Sequence, residues 1–203
     1  MVRVKICGLT RLGDALHAAA CGADALGFVT WPGSKRAIAV ADLARLRREL
    51  PPFVQTVAVT VNATPAELVD LWTKTGVSAV QLHGDETPAA YRGLPMPVIK
   101  AFRAPPLAAD LDAWEAMGFL ADGAAAGHYG GSGVVADTAT VEALAATGRL
   151  ILAGGLTPET VADAVRRTRP YAVDVASGTE AAPGIKDPDK VRAFIAHAKA
   201  AVE

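Results

Sequence analysis

Cysteine is scarce: Cys7 and Cys21 are the only two in 203 residues. One bridge could not staple a chain of this size, so a reducing, cytoplasmic setting is expected. A surplus of either charge is also missing, with 20 Lys+Arg against 21 Asp+Glu. A nucleic-acid partner would call for a basic surplus to neutralise phosphates, and none is expected. No run of about 18 apolar residues is free of charges and breakers, which leaves no candidate membrane span. The opening MVRVKICGLT reads as a strand rather than a signal peptide. Asparagine occurs once (Asn62) and glutamine twice (Gln55, Gln81), a scarcity that a hot habitat or a GC-rich genome would explain equally. What the chain does have is apolar mass. Hydrophobic residues make up 51% and charged residues 20%, enough for a large core and too much for a disordered chain.

Short apolar runs alternate with helical patterns from end to end. The runs are Val2–Cys7, Ala25–Val29, Thr56–Val61, Ala79–Leu82, Val98–Phe102, Phe119–Asp122, Leu150–Ala153 and Tyr171–Val175. Several are almost continuously apolar, as parallel strands buried on both faces are. Between them Leu43, Leu46 and Leu50 recur at helical spacing, as do Leu68, Leu71 and Trp72. Four helix starts are marked by a capping residue before proline: Thr64-Pro65, Thr87-Pro88, Thr157-Pro158 and Asp187-Pro188. The capping oxygen accepts an orphan backbone N–H, and proline has none to leave unpaired. Thr64 with Glu67 also reads as a capping box. Eight strands, each followed by a helix or helix-like segment of minimal length, predict a single-domain (β/α)8 TIM barrel of eight parallel strands over residues 1–203. An open doubly wound sheet is the alternative, and the lack of a G-x-G-x-x-G after the first strand counts against it.

Barrels of this kind carry their chemistry where the strands end. Cys7 closes the first strand, where a cationic setting would lower a thiol's pKa. The loop after the second carries Ser34, Lys35 and Arg36. It is either solvated charge or an anion site in which Arg36 grips a carboxylate bidentately. His83 ends the fourth strand, and the other histidines have less favourable positions. A lone histidine is more often structural, but this one sits at the mouth. The spacing of His and Cys suits no metal. Asp122 ends the sixth strand and Asp174 lies near the end of the eighth. A carboxylate there serves either acid–base chemistry or the capping of loop N–H groups. Glycine-rich turns follow the sixth, seventh and eighth strands: Gly130-Gly131-Ser132-Gly133, Gly154-Gly155 and Ser177-Gly178. Loops after strands seven and eight are the recurrent phosphate site of such barrels, so a phosphorylated small molecule is the expected partner.

In order, these motifs resemble those of the phosphoribosylanthranilate isomerase family over the whole chain. Lys5-Ile6-Cys7-Gly8-Leu9-Thr10, Gly27-Phe28-Val29, Ser34-Lys35-Arg36, Val61-Asn62, Gln81-Leu82-His83-Gly84, Val98-Ile99-Lys100-Ala101-Phe102, Asp122, Leu152-Ala153-Gly154-Gly155-Leu156 and Val173-Asp174-Val175 all take part, followed by Glu180, Gly184 and Lys186-Asp187. The resemblance implies a (β/α)8 barrel and an Amadori rearrangement in tryptophan biosynthesis, with no metal or organic cofactor. It implies Asp122 as general acid, Cys7 as general base and Arg36 as partner of the anthranilate carboxylate. Asp174 would hold sugar hydroxyls, with His83 beside the substrate. Gly131, Gly133, Gly154, Gly155, Ser177 and Gly178 would hold the phosphate. Such an acid must keep its proton at neutral pH in a partly desolvated or negatively charged setting. Such a base must be ionised, so a lowered Cys7 pKa is expected. Thr30, Thr60, Ala121 and Ala176 depart from the family's usual residues, and Thr30 and Thr60 are candidates to enlarge or polarise the mouth. A histidine-pathway isomerase on the same barrel would carry Asp in place of Cys7. A catalytically silent binding barrel would leave Cys7, Asp122 and Arg36 unexplained together. Monomer and homodimer are both open.

Overall fold

The computed structural model describes residues 1–123 and 134–201. Strands β1 (Arg3–Ile6), β2 (Ala25–Val29), β3 (Gln55–Thr60), β4 (Ala79–Leu82), β5 (Val98–Phe102), β6 (Gly118–Ala121), β7 (Leu150–Leu152) and β8 (Ala172–Val175) pair in sequence order. β1 also pairs with β8, which closes a parallel barrel. Every run read from the sequence is a strand, and the ends agree within two residues. Helices α1 (Leu12–Ala20), α2 (Val40–Arg48), α3 (Pro65–Thr75), α4 (Ala108–Ala113), α5 (Thr138–Ala145), α6 (Val161–Thr168) and α7 (Pro188–Ala200) surround it.

The strand period of two sorts the apolar residues into two layers. Val4, Ile6, Leu26, Phe28, Val80, Leu82, Phe119 and Val173 face outward under the helices. Val57, Ala79, Ile99, Ala101, Leu120, Ile151, Ala153 and Ala172 fill the barrel interior. The same alternation sends Lys5 and Cys7 inward from β1, Gln81 and His83 from β4, and Asp122 and Asp174 from β6 and β8. The polar side chains therefore stack above the interior plug.

Two of the four marked helix starts behave as read. The Thr64 side chain accepts from the Glu67 backbone and Glu67 answers the Thr64 N–H, a complete capping box. Asp187 caps α7 by accepting from the Asp189 and Lys190 backbones. Thr87-Pro88 opens only a single 3₁₀ turn, Pro88–Tyr91, because Arg92 is extended and Gly93 turns the chain away at φ 72°. Thr157-Pro158 starts α6 three residues early: the turn at 158–160 precedes Val161, and Thr160 takes the cap position. The sequence reading also lacks a two-stranded hairpin after β8, β9 (Glu180–Ala182) with β10 (Ile185–Lys186). Strands of three and two residues leave no periodic signal, yet this hairpin places two charged groups beside the site.

The N-terminal end of the barrel carries an apolar patch that the sequence does not announce. Phe53 is 98% exposed, and Met117 and Tyr171 flank it at the starts of β6 and β8. All three border a hollow with Arg3, Asp24 and Ile151.

Candidate active site

At the opposite end, one cavity is lined by Cys7, Ser34, Arg36, Gln81, His83, Asp122, Gly154, Gly155, Asp174 and Ser177 among others. Eight of the residues singled out from the sequence thus converge from six of the eight strands and the loops that follow them. Gly178 lies one residue beyond Ser177, packed on the Leu156 carbonyl. Gly131 and Gly133 lie outside the described residues.

Asp122 and His83 are joined. His83 Nε2 lies 3.1 Å from Asp122 Oδ2, and its Nδ1 lies 2.8 Å from the Gln81 amide nitrogen. Asp122 Oδ1 also accepts the Gly123 N–H at 2.8 Å. All three side chains are buried. The acid's setting is dry as expected, but the groups touching it are hydrogen-bonding partners rather than further negative charges.

Cys7 sits in a cluster of charge. Lys5 Nζ donates to Asp174 Oδ1 at 2.9 Å, with both groups buried. Gly27 faces this pair across β2, and a Cβ there would stand 2.7 Å from Cys7 Sγ and 3.0 Å from Lys5 Nζ. Only a residue without a side chain lets ammonium and thiol converge here. Lys186 donates to the Ala176 carbonyl at 2.7 Å and reaches Glu180. Burial weakens the Lys5 charge, but Asp174 and Cys7 outweigh it and hold the ammonium well above the ordinary lysine range. Burial pushes the Cys7 thiol up, with Lys5 pulling it back and Asp174 pushing it further. The lowered thiol pKa expected from the chemistry is therefore not the state of the empty site, because desolvation outweighs the nearby ammonium groups.

Arg36 is held from the hairpin. Its Nε and Nη2 donate to Glu180 Oε1 and Oε2 at 2.7 and 2.8 Å. Glu180 is kept below the usual carboxylate range: burial opposes this, but Arg36 and Lys186 prevail. The edge of Arg36 expected to grip a carboxylate bidentately is thus engaged by Glu180, and the guanidinium lines the cavity from that anchored position. Thr30 and Thr60 do not polarise the mouth, since both hydroxyls donate to strand carbonyls, of Val59 and Gln81. Gly154 turns at φ 83°, with the Val134 carbonyl 2.6 Å from where a Cβ would stand. Glycine is required there to bring the β6 and β7 loops together at the cavity wall.

Comparisons with known proteins identify the family. The family model described as N-(5'phosphoribosyl)anthranilate (PRA) isomerase matches residues 4–197. The chain belongs to this family. An N-(5'-phosphoribosyl)anthranilate isomerase of Myxococcus xanthus is 48% identical over 98% of this chain and 96% of its own. A crystal structure of phosphoribosyl anthranilate isomerase from Thermus thermophilus superposes with a TM-score of 0.87 at 43% identity, covering all of both chains. Another, of phosphoribosyl anthranilate isomerase in complex with reduced 1-(o-carboxyphenylamino)-1-deoxyribulose 5-phosphate, has a TM-score of 0.81 at 40% identity, covering 98% of this chain and all of that one. This phosphoribosylanthranilate isomerase family member is an aldose–ketose isomerase of tryptophan biosynthesis.

Sequence reasoning on this isomerase passes over Lys5, Gln81 and Lys186 as site residues. The first two carried a readable signal: each is a long polar side chain inside an apolar strand, two positions before a singled-out residue and so on its face. Lys186 carried none, since its place depends on the hairpin. Among the described residues, no helix is long and apolar enough to cross a membrane.

Proposed function

We propose that one barrel domain spanning residues 1–203 carries out the Amadori rearrangement of N-(5-phosphoribosyl)anthranilate with Asp122 as general acid and Cys7 as general base. The observation that carries this reading is the convergence of the buried Asp122–His83 pair and the buried Cys7 thiol on one cavity, with Arg36 and the Gly154-Gly155 turn on its wall. Asp122 protonates the ribose ring oxygen. The C1′–O bond breaks toward that oxygen while the anthranilate nitrogen lone pair forms the C1′=N bond. The minor thiolate form of Cys7 then removes the C2′ proton, and the released electron pair makes the enolamine. Transfer of a proton from the C2′ hydroxyl to C1′ completes the ketone, so no external oxidant or reductant is needed.

The substrate is anionic at both ends, which suits a site with cations on one side and N–H-rich turns on the other. Arg36, anchored by Glu180, presents its remaining edge to the anthranilate carboxylate. Asp174 meets the sugar hydroxyls, and His83 lies beside the substrate with its ring nitrogens on Gln81 and Asp122. The Gly154-Gly155 and Ser177-Gly178 turns hold the phosphate, together with Gly131 and Gly133 from the preceding loop. The chemistry these residues supply is proton transfer and electrostatics, and the reading calls for no metal or organic cofactor. Two free cysteines suit the cytoplasm. Between monomer and homodimer, the exposed Phe53 patch supports a homodimer through the N-terminal face, which leaves the mouth open.

Cys7→Ala and Asp122→Asn should each lower kcat by more than about tenfold, the scale of lost acid–base catalysis. Arg36→Ala should mainly raise KM. Near-normal turnover by either of the first two variants would remove this mechanism.

A further inference from the structure

Gln81 is 1% exposed and lines the cavity, yet its Oε1 has no hydrogen-bond partner among the described residues. An unsatisfied buried carbonyl is costly. Its amide nitrogen, 2.8 Å from His83 Nδ1, can only donate, so Nδ1 must offer its lone pair. His83 then keeps a single proton on Nε2, directed at the Asp122 carboxylate. In this arrangement the trio has no acidic proton to give: losing the one on Nε2 would leave an imidazolate.

Rotating the amide by half a turn exchanges oxygen and nitrogen and moves no other atom. Oε1 then faces Nδ1, which must carry a proton, and the orphan oxygen gains its bond while the amide nitrogen takes its former place. A second proton can now lie between His83 Nε2 and Asp122 Oδ2. That proton is the one a general acid needs. When it passes to the ribose ring oxygen, Nδ1 keeps its proton on the amide oxygen, and Nε2 with Asp122 Oδ2 is left open to take the next one.

We propose that Gln81 is a positioning residue that holds its amide oxygen toward His83 Nδ1, so that His83 Nε2 and Asp122 Oδ2 share the proton the reaction uses. The inference rests on Asp122 being the acid. The other titratable groups around the pair are Cys7, Arg36 and Asp174 across the cavity, and the Lys100–Glu86 ion pair on the outer side of β5. None of these touches His83 Nδ1, and among the described residues Gln81 is the side chain that faces it.

The test is the single-turnover rate against pH. The reactive form carries the extra proton, so the rate falls as pH rises through the pair's titration. Gln81→Leu removes the acceptor for Nδ1–H. The alkaline limb should move down by about one pH unit, the equivalent of one hydrogen bond, for an approximately tenfold loss above it. Gln81→Glu places a carboxylate there and should move the limb up. In wild type, ¹⁵N spectra of His83 should show Nδ1 protonated in the active enzyme. Both variants folding normally with the wild-type limb would overturn the inference, as would a His83 Nδ1 that stays unprotonated throughout. Asp122→Asn separates the two ideas. Abolished turnover with unmoved Gln81 limbs defeats this inference alone, whereas normal turnover of Asp122→Asn defeats the acid assignment beneath it.

Discussion

Cys7 shows how one residue answers to opposing forces. Burial favours its neutral thiol, and Lys5, brought close by the bare Gly27, favours the thiolate. Burial prevails, so ionisation is delayed to higher pH than for an ordinary thiol. With Cys21→Ser as background, alkylation of Cys7 by iodoacetamide should rise only as pH passes above the usual thiol range. Lys5→Met should move that rise higher still, because it removes the cation that pulls the thiol down. A rate already at its plateau at neutral pH would show that the ammonium groups outweigh desolvation. At this scale the sequence shows which residues line the mouth but not their charge states, since a pKa depends on neighbours from distant strands.

Among the elements, the loop after β4 is the one whose placement matters most, because it begins at His83. Lys100, pointing outward from β5, donates to the Gly84 carbonyl and to Glu86 Oε2, each at 2.7 Å. Glu86 in turn accepts the Asn62 and Gly84 N–H groups. The ammonium also lies over the Trp114 and Phe102 rings. Glu86→Ala would leave that buried ammonium without its counter-ion. It should lower unfolding free energy by about 3 kcal/mol in urea titrations, against about 1 kcal/mol for Thr64→Ala at the exposed cap of α3. It should also reduce turnover, since the loop that fixes His83 loses its anchor. Equal losses for the two variants would show the pair to be no more than a surface contact. The caps of α3 and α7 were legible because capping is a contact between residues two or three apart. The truncated turn at Pro88 and the β9–β10 hairpin were not, being set by what the chain packs against.

The whole molecule separates its two ends. The cavity of the proposed site lies at the C-terminal mouth, while the N-terminal end exposes Phe53, Met117 and Tyr171. Sedimentation equilibrium should give twice the 20.8 kDa chain mass for the protein and the single-chain mass for Phe53→Glu, with kcat unchanged because the mouth is distant. A wild-type chain sedimenting at its own mass would retire the homodimer. The barrel itself was readable from eight apolar runs at minimal spacing, because strand period and helix capping are local properties of the chain. The strand-end rule then located Cys7, Asp122, His83 and Asp174. Partnership was decided only by closure of the sheet. Pairing β1 with β8 sets Lys5 against Asp174 across 169 positions of sequence, the hairpin sets Glu180 on Arg36, and the barrel sets His83 on Asp122 across 39 positions. Hydrogen bonds and desolvation act over a few ångströms, and the tertiary structure alone determines which groups come that close.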